Sequence, residues 1–293
     1  MKTRSHPKVG PSFIGVGPER TGTTWIYQQL RKHPKVQLPP IKELRYFWEK
    51  ENFPNENVFS RMNTKVSWHR KQYAEYAKER YKNLVHSPKT ALFTNFNRLL
   101  WDLRYLVLPH DDRWYLSCFQ TSKESISGEI SPQYFFLPET RIRKISTLLP
   151  HCKILISLRR PIDWVWSFAD LISRNGFLQD KYGNVDAFID SKITACSYSK
   201  ALANWKEAYS DSQILILFYE HLRNDPWQYY KRICDFLEIF PDADLESGVK
   251  RRVNPGSQKP PPEWVAKKIK AAWREDIQEL TRMVPDVPAS WFE

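Results

Sequence analysis

Cysteine is scarce in this chain, long apolar runs are missing, and so are long runs of lysine and arginine. The four cysteines among 293 residues, Cys118, Cys152, Cys196 and Cys234, stand far apart, with no Cys-x-x-Cys pair and no histidine close enough to complete a zinc pattern. A zinc module is excluded, and the thiols are expected in the core. No uninterrupted apolar stretch approaches the roughly 18 residues of a membrane-spanning helix. Lys2, Arg4 and Lys8 are not followed by the apolar segment of a secretory leader. The expectation is a soluble, cytoplasmic protein.

The composition, 41% hydrophobic and 27% charged, is that of a globular protein. Its length suits one large α/β domain, residues 1–293, with 1–10 as a loose arm and 49–110 as an elaborated insertion. A formal charge of +12 and a pI near 9.4 imply an anionic partner: nucleic acid, acidic lipid or a small anion. Twelve tryptophans and fourteen tyrosines interleave with the basic residues, a mixture that suits sugars and single-stranded nucleic acid alike.

The organising stretch runs from Phe13 to Leu30 and reads as strand, tight polar turn and helix. Gly17 and Gly22 lie five positions apart, so backbone N–H groups between them can turn inward at a helix N-terminus, where unpaired donors and the helix dipole favour an anion. Arg20 adds a full charge and Thr21, Thr23 and Thr24 add hydroxyls. The Walker pattern matches in its glycines, but Thr23 stands where a nucleotide kinase needs lysine. The dinucleotide pattern begins at Gly15 and Gly17 and fails at Arg20, where a third glycine belongs. The plainer reading, a turn that merely joins strand to helix, leaves the coincidence of charge, glycines and helix start unexplained.

A second signal lies at Lys153–Leu158, an apolar run that reads as a buried parallel strand and ends in Arg159-Arg160-Pro161. A nucleotide hydrolase places a magnesium-binding acid at such a strand end. Two arginines there call for a second anion instead of a metal. Ser167 follows Arg159 by eight residues, about one and a half turns into the next helix, and is expected to face the same pocket. Pro39-Pro40 breaks the chain before Glu43 and puts that carboxylate on a loop beside a strand edge, where catalytic groups concentrate.

Arg20-Thr21-Gly22-Thr23-Thr24, followed by Lys42-Glu43-Leu44-Arg45-Tyr46-Phe47, resembles the 5′-phosphosulfate loop and acidic motif of sulfotransferases, nearest the heparan sulfate (carbohydrate) type. Further likenesses follow. Gly128-Glu129-Ile130-Ser131-Pro132-Gln133-Tyr134 is similar to the family's Glu-Lys-[Ser/Thr]-Pro-x-Tyr strand end. Arg159 with Ser167 resembles its 3′-phosphate motif, and Tyr198 to Trp205 one of its helices. Tyr219-Glu220 to Asp225-Pro226 resembles a further tract, and Arg251-Arg252 matches a basic loop over the nucleotide by position and charge.

The resemblance implies a P-loop-like parallel sheet flanked by helices, with a helical insertion. It also implies sulfuryl transfer from 3′-phosphoadenosine 5′-phosphosulfate (PAPS) to a hydroxyl or amine, of a glycan or a small molecule, without a metal. Arg20, Thr21, Gly22, Thr23, Thr24, Trp25, Arg159, Ser167, Arg251 and Arg252 would bind the nucleotide. Glu43 would act as base, with Arg20 stabilising the transferred group. One departure is Ile130, which stands where the family has a lysine near the sulfuryl group, so that role lapses or falls to another cation. Lesser candidates for the base are His33, His69 and His110; Glu220 reads as a residue that braces loops.

Residues 49–110 carry apolar stripes, among them Leu99, Leu100, Leu103 and Leu106, expected to pack. Their basic and aromatic residues, Arg61, Lys65, Trp68, His69 and Arg70, are candidates to shape the acceptor side. Two other classes compete: a P-loop kinase-like phosphotransferase, opposed by Thr23 and Arg159, and a basic single-stranded nucleic acid binding protein, supported by charge and aromatics alone.

Overall fold

The computed structural model describes residues 10–48, 100–105, 108, 110–119, 124–249 and 260–292. Five strands, β1 (Phe13–Val16), β2 (Val36–Gln37), β3 (Ile126–Ile130), β4 (Lys153–Leu158) and β5 (Ile214–Phe218), form one sheet in the order β2-β3-β1-β4-β5. Every pairing is parallel. The expected α/β class and P-loop-like sheet are therefore present.

The strands read as they do because both sheet faces are covered. Ile14 and Val16 of β1, with Ile154, Ile156 and Leu158 of β4, join a core with Trp164, Tyr198 and Trp205. Phe13 and Leu155 point the other way, to Trp25, Tyr229 and Ile233. Side chains alternate across the pleat, so a strand between two helical layers is apolar on both faces. Each such aliphatic side chain contributes about 1.5–3 kcal/mol through burial.

After β1 the chain enters α1 (Thr23–Lys32), which ends at His33 before Pro34. A short helix α2 (Asp112–Ser117) starts where the Asp111 carboxylate accepts from the Trp114 N–H at 2.7 Å. Beyond β3, a 3₁₀ turn over Pro132–Phe136 precedes α3 (Glu139–Leu148). Pro161 opens α4 (Pro161–Arg174), the first-turn position where its missing N–H costs nothing. Helices α5 (Phe177–Tyr182), α6 (Val185–Ala195) and α7 (Tyr198–Ala208) lead to β5, followed by α8 (Tyr219–Asn224), α9 (Pro226–Leu237) and α10 (Glu246–Val249).

Near the C-terminal side two helices follow one another, α11 (Glu263–Ala272) and α12 (Arg274–Met283). The break takes Trp273 into the core, 5.7 Å from Trp164 and 5.1 Å from Tyr198 between ring centres. Gly10, assigned to the loose arm, is buried against Leu116 and Leu149. Of the insertion, residues 49–99 lie outside the described residues, with Arg61, Lys65, Trp68, His69 and Arg70 among them. Residues 100–105 are helical, but Leu100 and Leu103 are exposed while Trp101 and Tyr105 are buried, their rings stacked at 5.0 Å. The aromatic pair, one turn apart, offers more area to the core than the leucines.

Three of the four cysteines are buried as expected, and Cys196 is half-buried. Among the described residues no helix is long and apolar enough to cross a membrane.

Candidate active site

The polar turn between β1 and α1 lies at the C-terminal end of the sheet, held on three sides. Gly17 has φ 140° and lies so close to β4 that a Cβ would meet the Ser157 carbonyl oxygen at 2.2 Å. Only glycine fits there. The Ser157 hydroxyl donates to the Thr21 carbonyl at 2.5 Å, the Thr21 hydroxyl to the Pro18 carbonyl at 2.8 Å, and the Trp164 indole N–H to the Glu19 carbonyl at 2.8 Å. Gly22, with φ 94°, caps α1, and neither a capping side chain nor a first-turn acid meets its N–H groups. Those donors and the positive end of the dipole are arranged for an anion.

Arg20 leaves this turn in a left-handed conformation, φ 74°. Its Nε donates to Ser167 Oγ of α4 at 3.0 Å, and Arg159 Nη1 donates to the Arg20 carbonyl at 3.2 Å. The Arg159 guanidinium lies 4.6 Å from the centre of the Tyr219 ring. Burial, then the charges of Arg159 and Arg174, pull the Arg20 guanidinium below its ordinary range. Guanidinium groups crowded in this way repel one another, and a bound anion offsets that repulsion.

The end of β4 is braced from α8 and α7. Glu220 Oε1 accepts from the Arg160 backbone N–H at 2.9 Å, and the Tyr198 hydroxyl donates to the Arg159 carbonyl at 3.1 Å. Glu220 has the bracing position expected of it. Trp25 is buried, its indole N–H spent on the Val249 carbonyl at 3.0 Å and its ring edge against Tyr229. It supports α1 from below. Arg251 and Arg252 lie outside the described residues.

Glu43 sits on the loop after β2, φ 66°. Its carboxylate accepts from Lys42 Nζ at 2.5 Å, Arg45 Nε at 3.0 Å, Arg45 Nη2, and Gln133 Nε2 at 2.9 Å. Burial opposes its ionisation, but the charges of Lys42 and Arg45 and the bonds from Lys42 and Gln133 win and bring its pKa down to about 2. Glu19, the residue before Arg20, is pushed up by burial and then by the charge of Glu43, which places Glu43 within electrostatic reach of the cradle. Ile130 points away, into the apolar layer with Phe13 and Trp25, so the lysine's role cannot be filled from β3. Lys42 and Arg45 are the cations beside Glu43.

Of the lesser bases, His33 is buried and bonded to the Phe240 carbonyl at 2.8 Å, and His110 stacks on Trp114 at 3.4 Å; His69 lies outside the described residues. A cavity of about 290 Å³ lined by Arg160, Ile162, Trp273 and Trp291 opens beyond Arg160, away from Arg20, Arg159 and Ser167. Sequence reasoning missed Tyr219 as the platform for Arg159, Lys42 and Arg45 as a clamp, and Arg174. The first was visible only as the start of the Tyr219-Glu220 tract, and the clamp depends on a loop conformation that spacing does not encode. Among the described non-glycine residues with positive φ, Arg20, Glu43 and Arg45 belong to this region and Glu238 alone to a helix end. Backbone strain gathers at functional sites.

The sheet, the cradle at its C-terminal edge and the paired arginines define a P-loop-like α/β fold without a Walker lysine. The family model described as "Sulfotransferase family" matches residues 11–242, and the chain belongs to that family. It is similar to human carbohydrate sulfotransferase 15, 22% identical over 280 residues that cover 82% of this chain and 46% of that protein. It is also similar to the bifunctional heparan sulfate N-deacetylase/N-sulfotransferase 1 of Caenorhabditis elegans, 24% identical over 47% of this chain and 17% of that protein. The chain thus spans about half the length of the human relative, or less for the nematode one. In fold it is similar to a sulfotransferase from Alicyclobacillus acidocaldarius, with TM-score 0.61, 18% identity and 97% and 99% of the two chains covered. A sulfotransferase domain from the curacin biosynthetic pathway gives 0.56 at 15% identity, covering 92% and 98%.

Proposed function

We propose that this chain moves the sulfuryl group of PAPS to a hydroxyl or amine of an acceptor, a glycan or a small molecule. One observation carries the reading: a cradle at an uncapped helix N-terminus and the Arg159–Ser167 pair meet through Arg20, which bonds Ser167 at 3.0 Å. Two adjacent anion sites suit a nucleotide with phosphate on both the 5′ and 3′ sides and disfavour ATP. In this reading the first-turn N–H groups of α1, with Thr23, Thr24 and Arg20, hold the 5′-phosphosulfate, and Arg159 and Ser167 hold the 3′-phosphate.

The acceptor oxygen or nitrogen attacks sulfur, the sulfur–oxygen bond to the 5′-phosphate breaks, and 3′,5′-bisphosphoadenosine leaves with the bonding pair. Glu43, ionised at neutral pH, takes the acceptor proton as the new bond forms. Arg20 and the backbone donors offset charge growing on the leaving phosphate. Lys42 and Arg45 stand in for the lysine that Ile130 replaces. Labelled PAPS incubated with a panel of sugars, lipids and small alcohols tests the reading. Label transferred to one class supports it, and no transfer with selective retention on oligonucleotides sinks it.

A further inference from the structure

The carboxyl group of Glu129, buried at the end of β3, takes no part in the transfer described above. It is nonetheless the centre of a network that ends on the Glu43 loop. Its oxygens accept from the Tyr115 hydroxyl of α2 at 2.6 Å and the Ser131 hydroxyl at 2.7 Å, and it is also bonded by the Leu44 backbone N–H and by Tyr134. Ser131 Oγ in turn accepts from the Arg45 backbone N–H at 3.4 Å, and the Tyr134 hydroxyl from that of Phe47 at 3.3 Å. Three backbone N–H groups, of residues 44, 45 and 47, are thus tied directly or through one hydroxyl to a single carboxyl group.

The loop needs such ties. Glu43 and Arg45 hold φ at 66° and 56°, a conformation that L side chains resist. Without external bonds the segment would relax and carry the Glu43 carboxylate away from Gln133. We infer that Glu129 is a positioning residue: it sets the backbone of residues 44–47 and through it the aim of Glu43. This rests on the reading of Glu43 as the base.

The network also has a proton dependence. Burial raises the Glu129 pKa to about 7 against the opposing bonds from Tyr115, Ser131, Tyr134 and Leu44. The groups that face it are those four, with the Cys118 and Cys152 thiols, both held neutral chiefly by burial and pushed further up by its charge. Protonation turns one of its acceptor oxygens into a donor, which then opposes a hydroxyl that was donating to it. The loop loosens below neutral pH. Glu43, at about 2, has no titration there.

The test compares E129Q, S131A and E43Q by kcat against pH and by calorimetry with 3′,5′-bisphosphoadenosine. Wild type should show a limb in kcat near pH 7. E129Q should lose that limb and about 10- to 100-fold in kcat, S131A about 3- to 10-fold, each with nucleotide Kd unchanged. If E129Q does not fold, S131A and the wild-type limb decide. An impaired E43Q beside E129Q and S131A variants of wild-type kcat and profile overturns the positioning role alone. E43Q with wild-type kcat overturns the reading of the base, and this inference with it.

Discussion

Arg20 Nε and Ser167 Oγ, 147 residues apart in sequence, share a 3.0 Å hydrogen bond that joins the turn after β1 to the helix after β4. The same serine belongs to the proposed 3′-phosphate site, so a bound nucleotide competes with Arg20 for it. Arg159→Ala should weaken 3′,5′-bisphosphoadenosine by about 10- to 100-fold and adenosine 5′-phosphate far less, since a charge-assisted bond to phosphate is lost only with the former. Calorimetry with both ligands checks this, and equal losses would remove Arg159 from the 3′ side.

Replacing Glu43 with Gln should lower kcat by about 10² to 10⁴, the usual worth of a placed base, and leave nucleotide affinity intact. Its depressed pKa of about 2 means that its ion pairs stabilise the fold above the unfolded value of 4.5 and lose that contribution as pH falls through 2. Denaturant titrations of wild type and variant should therefore converge in strong acid. A constant difference down to pH 2 would contradict the clamp.

For Glu129 the sign is opposite. Its folded value, about 7, lies above the ordinary 4.5, so the native state holds the proton longer than the unfolded chain. Its contribution is fully present below pH 4.5 and is lost as pH rises through 7, a change of about 3 kcal/mol. Relative to Glu129→Gln, wild type should lose that much stability between pH 5 and 8 by urea unfolding. A pH-independent difference would mean that the buried group does not titrate in this range.

Gly17→Ala should cost about 2 kcal/mol or more, because the new methyl meets backbone and φ 140° is closed to alanine. The nearest atom belongs to Ser157 of β4, so nucleotide affinity should fall together with thermal stability. Unchanged melting and affinity would show that the turn shifts freely.

The cradle and the proposed phosphate sites were legible as local structure: an apolar strand, glycines at a fixed spacing, an arginine at a strand end, a serine one and a half turns later. Glu43 was legible as a loop residue, since Pro39-Pro40 rules out a helix. What held it there was not. Lys42 and Arg45 are neighbours whose direction depends on two left-handed residues, and Tyr115 reaches Glu129 only through packing of α2 on the sheet. The partner of the Trp25 indole was hidden for a related reason: the Val249 carbonyl that occupies its N–H is 224 residues away. The break at Trp273 likewise follows from its neighbours in the core, which no helical period announces.

The register of β1 on β4, with Val16 opposite Ile156, has a consequence for how such a site diversifies. The cradle grows from one strand of this pair and Arg159 from the other, so hydrogen bonds of the sheet itself act as a ruler between the two proposed phosphate positions. A ruler built from a buried ladder cannot be lengthened by changing a loop, and slipping it by one residue would turn every core side chain to the wrong face. The Glu43 loop hangs instead from β2 and β3, on the far side of β1, where chain can be exchanged without touching that measure. On the proposed reading, donor recognition is tied to the sheet ladder, and new acceptors are open to the chain through residues that leave the ruler alone.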